Sequence, residues 1–352
     1  MSLTRSLMTR FLTMLGVLVA VLLLLAITLG ATGFSDRMLE AAVGEELRAQ
    51  RTALAETIRD PEALEEALAA QRAALEATYG LDQPWHLRLP ATMARVLTLD
   101  LGEAHTMRSF SGSNRVADIV IERLPNTMVL LTTALAVTAV LGISVGVRMA
   151  TRAGSRTDRA VSYFAAVSYA MPAWWVGILL ILLFAFTLGW LPSGGMLSAP
   201  PPEPGLARVA DVFRHALLPV LTLVLAGVGP YMYVVRTMTL DAAQQDHVAV
   251  ARAKGMPERV VVRRHVLRVA APPILTGLIL GLAASLGGSI LVETVFSWPG
   301  MGRLYYEAIV GTPDEMVIVA LTFLYTLIYV VARMVLEVLY VVVDPRVRYE
   351  RA

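Results

Sequence analysis

Residues 142–146, Gly-Ile-Ser-Val-Gly, fit the G-x-S-x-G pattern of serine hydrolases, in which the serine is a nucleophile. That chemistry needs a sharp strand-to-helix turn and a histidine partner. Here the pattern lies inside an apolar stretch that is long enough to cross a membrane. We therefore interpret Gly142 and Gly146 as small residues that let another helix approach closely, and Gly277 and Gly281 in the same way.

The other residue types that could carry catalysis form no recognisable site. The five histidines lack the H-E-x-x-H spacing of a metal site, and the absence of cysteine excludes thiolate chemistry. Lys254, the only lysine, lies in Ala-Lys-Gly-Met and not in the phosphate-binding pattern G-x-x-x-x-G-K-[ST]. We therefore expect no enzyme activity, cofactor or metal on this chain, and any ATP with Mg to bind another polypeptide.

Three charged residues inside apolar segments remain candidates for a polar site in a membrane, because charges at that depth are costly and commonly functional. Arg333 and Glu337 are four residues apart and so share one helix face. We favour a self-satisfied pair here and an interfacial position for Glu293. So few carboxylates in apolar segments make a poor proton relay.

The composition indicates an integral membrane protein, since 56% of the 352 residues are hydrophobic, 16% are charged and the mean hydropathy is +0.63. A net charge of +2 is too small to suggest a nucleic-acid partner. Windows of roughly 20 apolar residues predict an all-α protein with six transmembrane helices. The predicted spans are Phe11–Thr32, Asn126–Met149, Ala160–Leu188, His215–Thr237, Pro273–Phe296 and Met316–Val343. We expect the third to be tilted or to extend beyond the bilayer.

Arginines in the short loops predict the orientation of the spans. They cluster before the first span, at 148–159, at 259–268 and after the sixth span, all on one face of a six-span protein. Both termini and the tail 344–352 are therefore expected in the cytoplasm. A cleaved signal peptide is the alternative for the N-terminal helix 1–32.

Residues 33–115 form a predicted extracytoplasmic insertion, and residues 116–343 form the remaining transmembrane domain. The insertion carries a helix signal, with Asp60 as N-cap, Pro61 in the first position and Gly80 as the stop. We expect a small helical cap, and an insertion without a role of its own is the alternative.

The cytoplasmic loop 239–270 predicts two helices. Val248–Lys254 is a short helix of small residues, Gly255 ends it, and Pro257 begins a second, basic helix. Arginines near a membrane usually only fix orientation. That explanation does not cover the small-residue helix, which suits close contact with a groove on a partner.

The segment "ARAKGMPERVVVRRHVLR" resembles the EAA-type cytoplasmic loop of ABC importer permeases, in the form found in the dipeptide/oligopeptide/nickel family. Further stretches agree in order and spacing, so that the resemblance spans about Val116 to Arg348 and is closest to the first of the two permeases. These stretches are "ERLPNT" (122–127), "SYAMPAWWVGILLILLF" (168–184), "LGWLPSGG" (188–195), "HALLPVLTL" (215–223), "ETVFSWPGMGRL" (293–304) and "LYVVVDPRVR" (339–348).

The resemblance implies a type I importer in a bacterial inner membrane, with a second homologous permease, two cytoplasmic ATPases and an extracytoplasmic substrate-binding protein. It assigns to the ATPase-coupling interface Ala249, Ala251, Arg252, Ala253, Lys254 and Gly255. It assigns to an outer loop near the translocation path Phe296, Trp298, Pro299, Gly300 and Gly302. Without the resemblance, Trp298 is interpreted as an anchor at the membrane interface and Pro299-Gly300 as a turn.

The chain departs from the family pattern at several places, which leaves the substrate open among peptides, nickel chelates, glutathione-like molecules and oligosaccharides. Ala249, Val250 and Ala251 stand where the general motif has Glu-Ala-Ala, and Arg333 stands where asparagine is expected. The first span lacks a "PGDP"-like ending. An ion-coupled secondary transporter is the alternative function, although inverted repeats and interrupted spans are not evident.

Overall fold

The computed structural model describes residues 3–311 and 313–343; at 3–7, 89, 282–288, 311 and 338–343 it describes the backbone alone. The described residues form thirteen α-helices, and they contain no strand beyond one isolated bridge between Glu103 and Arg115. The all-α expectation is therefore confirmed. The predicted tail 344–352, with its arginines, lies outside the described residues.

The helices follow one another with few long connections. The first seven are α1 Leu3–Ala31, α2 Phe34–Thr57, α3 Pro61–Thr78, α4 Trp85–Leu97, α5 Val116–Thr151, α6 Arg156–Ala170 and α7 Ala173–Leu180. The remaining six are α8 Leu206–Ala243, α9 Asp246–Ala253, α10 Glu258–Val261, α11 Leu267–Val295, α12 Met301–Tyr306 and α13 Glu315–Val343. Wider π-helical turns continue three of them, at Ile181–Thr187, Val262–Val266 and Glu307–Gly311.

Four of the described helices are long and apolar enough to cross a membrane: Met8–Ala31, Val116–Thr151, Leu206–Ala243 and Glu315–Glu337. The pair Arg156–Ala170 and Ala173–Thr187 makes a fifth if it is counted as one span. The fifth predicted span, Pro273–Phe296, falls on α11, which includes seven residues whose side chains are not described.

The third predicted span differs from expectation, because α6 and α7 meet at an angle of 100° instead of forming one tilted helix. The break lies at Met171–Pro172, where Met171 has φ −92° and ψ 123°. Proline lacks an N–H and disfavours a helical conformation for the residue before it, so Pro172 accounts for the break.

The chain forms two compact units. The large unit contains residues 123–303 together with 3–9 and 328–343, and the small unit contains residues 10–122 and 304–327. The predicted division at residues 32 and 115 follows the sequence segments and stays a prediction.

The small unit contains the whole of the predicted insertion, residues 33–115. The expected helix is confirmed as α3, whose N-cap Asp60 accepts a hydrogen bond from the Glu62 N–H at 3.2 Å. Gly80 follows it with φ +70°, a conformation that favours glycine. Asp314 accepts hydrogen bonds from the backbone N–H groups of His105 and Thr106 at 2.6 and 2.8 Å. These bonds tie residues of the insertion to the chain just before α13.

Candidate functional site: the Glu293 turn and the Asp246–Val266 loop

The chain after α11 folds into a buried turn. Ser297 has a positive φ of 50°, and the Trp298 N–H donates to the Glu293 carbonyl at 2.8 Å. Phe296 is 1% exposed and Trp298 is 0% exposed. The interpretation of Trp298 as a membrane-interface anchor is therefore wrong, because its ring is enclosed by this chain.

A reciprocal pair of hydrogen bonds holds Trp298 against the start of the second span. The Trp298 Nε1–H donates to the Asn126 carbonyl at 3.1 Å, and Asn126 Nδ2 donates to the Pro299 carbonyl at 2.8 Å. A buried indole N–H usually has such a partner. The two motifs "ERLPNT" and "FSWPGMG" are thus parts of one structure.

Glu293 lies at the centre of this structure and is fully buried, whereas the sequence suggested an interfacial position. One carboxylate oxygen accepts from the Thr127 hydroxyl at 2.9 Å. The other accepts from the backbone N–H groups of Gly302 and Arg303 at 2.7 and 3.1 Å. A buried carboxylate is costly without such donors, so Glu293 and the turn stabilise each other.

Thr127 completes the connection, since its hydroxyl oxygen accepts from the Met301 N–H at 2.8 Å. Gly300 and Gly302 in the turn leave no room for a side chain, because other atoms of the chain lie close to them. A Cβ on Gly300 would lie 2.5 Å from Thr127 Oγ1 and would overlap the Glu293 carboxylate. A Cβ on Gly302 would lie 2.8 Å from Ile290 Cα.

The loop "LGWLPSGG" contacts the same turn. The Gly195 N–H donates to the Phe296 carbonyl at 2.8 Å, and a Cβ on Gly194 would lie 2.6 Å from that oxygen. The Phe296 side chain packs against Leu218 and Val292. The resemblance assigned Phe296 and Trp298 to an outer loop near the translocation path, which stays a prediction; both side chains are buried within this chain.

The other charged pair within a span lies on α13. Arg333 Nε is 3.9 Å from Glu337 Oε1, as their spacing predicted. The Glu337 side chain is 5% exposed and that of Arg333 is 39% exposed. The pair is long, so its attraction is modest compared with the buried hydrogen bonds around Glu293.

The expected short helix in the loop 239–270 is present as α9, Asp246–Ala253. Lys254 is its C-cap, and Gly255 follows with a φ of +74°, which stops the helix. Val248 and Ala251 are 0% and 4% exposed, within an apolar cluster that also contains Val235, Ala242, Val261, Val266, Ala270 and Ile274. The helix is therefore seated on α8 and on the start of α11, and is not held away from them.

This seating divides the predicted coupling residues into two groups. Ala251 is buried within this chain, which corrects its assignment to the ATPase-coupling interface. Five predicted coupling residues are exposed: Ala249, Arg252, Ala253, Lys254 and Gly255. Small side chains at 249 and 253 lie four residues apart, so they form one exposed face of α9.

Arg252 fixes the end of α9 to the following helix. Its Nη2 and Nε donate to the two carboxylate oxygens of Glu258 at 2.8 and 3.1 Å. The hydrogen bond from Arg252 lowers the pKa of Glu258 from its usual value. Glu258 was not among the predicted residues, although a carboxylate six residues after an arginine across a Gly-x-Pro turn is a visible signal.

The second predicted helix is interrupted after one turn. Pro257 is its N-cap, α10 covers Glu258–Val261, and the π-helical turn Val262–Val266 then joins it to α11. A π-helical turn is wider than an α-helical turn, so the predicted basic helix is not one regular α-helix. Val261 and Val266 are buried in the same apolar cluster as Val248 and Ala251 of α9.

A second ion pair, between α6 and α8, was also not predicted from the sequence. Arg236 Nε and Nη2 donate to Asp158 Oδ1 and Oδ2 at 2.6 and 2.9 Å. Asp158 also accepts from the Gly154 N–H at 2.8 Å and is 3% exposed. A signal was present, because Ser155 and Asp158 have the spacing of a capping box and Ser155 Oγ accepts from the Asp158 N–H at 3.1 Å.

Two further predictions concern small residues in spans. Gly142 and Gly146 do pack closely on α8: a Cβ on Gly146 would lie 2.6 Å from the Met232 carbonyl oxygen, and one on Gly142 would overlap Tyr231. Ser144 therefore lies on a helix and not on a nucleophile turn. A Cβ on Gly277 or Gly281 would meet no described atom within 4 Å, so these two pack on nothing in the described chain.

Among the residues that the structure describes, no group of three or more His, Asp or Glu side chains could hold a metal ion. His247 and His265 face each other with ring centroids 6.3 Å apart.

Comparison with known proteins gives consistent results. A profile of the family described as "Binding-protein-dependent transport system inner membrane component" matches residues 140–349. The oligopeptide transport system permease protein AppB of Bacillus subtilis is 29% identical over 93% of this chain and 97% of its own length. A putative peptide permease protein of Brucella ovis is 34% identical over 79% and 85%. The glutathione transport system permease protein GsiC of Salmonella choleraesuis is 33% identical over 84% and 89%.

Proposed function

Because the chain belongs to the family of binding-protein-dependent transport system inner membrane components, the permeases of ABC importers, we propose that it forms half of an ATP-driven path for small peptides. Membership of this family confirms the resemblance found in the sequence. It argues against the alternative function, an ion-coupled secondary transporter. The observation that carries the proposal is α9, a helix that is exposed on one face and seated on two membrane helices by the other.

The proposed mechanism is rigid transmission of motion. The exposed face at Ala249 and Ala253 contacts a cytoplasmic ATPase. Val248 and Ala251 connect α9 to α8 and α11 through close-packed apolar contacts, and packed interiors move as units. Closure of the ATPases around ATP then displaces α9 together with both spans and shifts the permease between inward- and outward-facing states.

The turn around Glu293 keeps the other end of α11 in register with the second span. Its hydrogen bonds join α11 to α5 at Thr127 and Asn126. A displacement that begins at α9 therefore moves the far end of α11 together with α5. Glu293 acts in this proposal as a structural anchor and not as a substrate ligand.

The substrate class follows from the names of the relatives, which are permeases for oligopeptides, peptides and glutathione. Peptide bonds are common to these three cargoes, so we propose small peptides for this chain. The proposed complex also contains a second permease, two ATPases and an extracytoplasmic binding protein. ATP and Mg would bind to the ATPases, and this chain would hydrolyse none itself.

The proposed orientation places the segments 148–159 and 244–266 in the cytoplasm of a bacterial cell and the insertion outside. Arginines are concentrated in these loops, as the positive-inside rule requires. The open glycines Gly277 and Gly281 on α11 suit close contact with a helix of the second permease.

The proposal is tested with the reconstituted complex by placing a charge on the exposed face of α9. We expect Ala253→Glu to insert and assemble normally but to remove most substrate-stimulated ATPase activity. The matched control is Ala153→Glu, an exposed alanine in the neighbouring loop. Unchanged stimulation in Ala253→Glu would remove α9 from the mechanism.

A further inference from the structure

A groove of about 870 Å³ lies between the end of α5 and the segment that leads into α11. Four arginines line it, Arg148 and Arg152 from one side and Arg259 and Arg263 from the other. Glu258 is the only acidic residue among its described lining residues, and its carboxylate is bound to Arg252. The groove therefore concentrates positive charge from two separate parts of the sequence.

The four guanidinium groups are exposed, and none makes an ion pair or hydrogen bond within the described part of the chain. Bringing like charges together is unfavourable unless an anion neutralises them. All four are arginines, whose planar donors bind phosphate oxygens in pairs. The groove thus has the chemistry of a phosphate site.

The apolar residues that line the groove indicate which class of phosphate compound it could bind. Val147 immediately precedes Arg148, and Leu267 follows Arg263 by four residues in the direction of α11. Both apolar residues therefore lie on the membrane side of the arginines along their own helices. A lipid satisfies this order, since its phosphate can meet the arginines while its first methylene groups contact Val147 and Leu267.

We propose that this groove binds the headgroup of an anionic glycerophospholipid of the cytoplasmic leaflet. The proposal uses the orientation given above and adds a ligand that the transport function does not require. A general attraction of basic loops to the membrane does not explain it, because the groove selects four of the arginines in these loops. Other exposed arginines of the same loops, such as Arg159 and Arg264, do not line it.

The test uses the assembled complex in nanodiscs that contain phosphatidylcholine and phosphatidylglycerol, with retained lipids counted by native mass spectrometry after mild delipidation. We expect the wild-type complex to prefer phosphatidylglycerol by well over about 30-fold, since each of the four arginines near the lipid surface contributes about fivefold. Arg148→Gln/Arg263→Gln should weaken retention by about 30-fold. The matched control Arg159→Gln/Arg264→Gln should retain phosphatidylglycerol like the wild type.

Each other outcome decides against the proposal. Equal loss in both double variants would mean that general charge, and not the groove, attracts the lipid. Full competition by soluble glycerol 3-phosphate would assign the groove to a free phosphate compound. No preference in the wild-type complex overturns the proposal without any variant. Basal ATPase activity of the complex, measured alongside, distinguishes these results from failure of the transport proposal.

If the glutamine variant does not assemble, Arg148→Lys/Arg263→Lys is compared with the control variant in its place. It keeps both charges but loses the paired donors, so retention should fall several-fold less than in the glutamine variant while remaining below that of the control. Retention equal to that of the control would contradict a site that binds phosphate through arginine geometry.

Discussion

Arg236 holds Asp158 through two hydrogen bonds of 2.6 and 2.9 Å. Asp158 is in the first turn of α6, and Arg236 is on α8, ten residues before α9 begins. The pair therefore joins the loop after the second span to the helix that leads into the proposed coupling helix. Ion pairs of this kind, mostly removed from water, depend on both partners.

Removal of one partner should therefore destabilise the protein strongly. We expect Arg236→Ala to lower the free energy of unfolding by about 3–5 kcal/mol, because it leaves a buried carboxylate without its charge partner. Thermal unfolding of the detergent-solubilised protein measures the change. The control is Arg72→Ala, which loses an ion pair with Glu76 on the exposed surface of α3 and should lower the free energy of unfolding only slightly. Similar losses in the two variants would contradict a structural role for the Asp158 pair.

Two substitutions of Glu293 test how much its hydrogen bonds contribute to stability beyond filling the space. Glu293→Leu should destabilise more than Glu293→Gln, because leucine leaves the Gly302 and Arg303 N–H groups unpaired, at about 1–3 kcal/mol each. Glutamine can still accept from these N–H groups with its carbonyl oxygen. Melting temperatures of both variants test the order, and a leucine variant as stable as the glutamine variant would show that the hydrogen bonds contribute little.

The glycine at position 300 should not tolerate a methyl group. Gly300→Ala would place a Cβ 2.5 Å from Thr127 Oγ1, so the turn or the second span must shift. We expect a clear fall in melting temperature and in assembled complex. Gly227→Ala on α8 is the control, since a Cβ there meets nothing within 4 Å and alanine favours helix by up to about 1 kcal/mol. A stable Gly300→Ala protein would show that the turn is looser than its contacts indicate.

Two neighbouring alanines on α9 should respond differently to the same change. Ala251→Glu introduces a charge into the apolar cluster beneath α9, at a cost of several kcal/mol, and should prevent normal folding of the loop. Ala253→Glu changes only the exposed face and should melt like the wild type. Limited proteolysis of the loop and melting temperature together measure this. Equal stability of the two variants would contradict the inward position of Ala251.

Much of the architecture was predictable from the sequence because it depends on local patterns. Apolar runs predicted the spans, Gly255 marked the end of α9, and the spacing of Gly142 and Gly146 predicted close packing of α5, which the contacts with α8 confirm. The break between α6 and α7 was also visible in principle, since Pro172 lies in the middle of the predicted span. Length alone had suggested tilt.

The parts that were not predicted depend on residues far apart in the sequence. Trp298 is apolar with one polar group, which suits a membrane interface as well as a buried position, and only Asn126 decides between the two. Ala251 and Ala253 have the same side chain, so their different exposure follows from how α9 is seated. Asp158 was hidden among arginines of opposite charge, and its partner is 78 residues away.

Cross-linking from single cysteines tests the central claim, that the exposed face of α9 contacts an ATPase. The chain has no native cysteine, so Ala253→Cys can carry a maleimide photo-cross-linker at one defined position. We expect efficient, ATP-dependent cross-linking from residue 253 to the ATPase, and little from the matched position Ala153→Cys in the neighbouring loop. Absence of cross-linking from residue 253 in an assembled, ATP-hydrolysing complex, or equal yields at both positions, would contradict it.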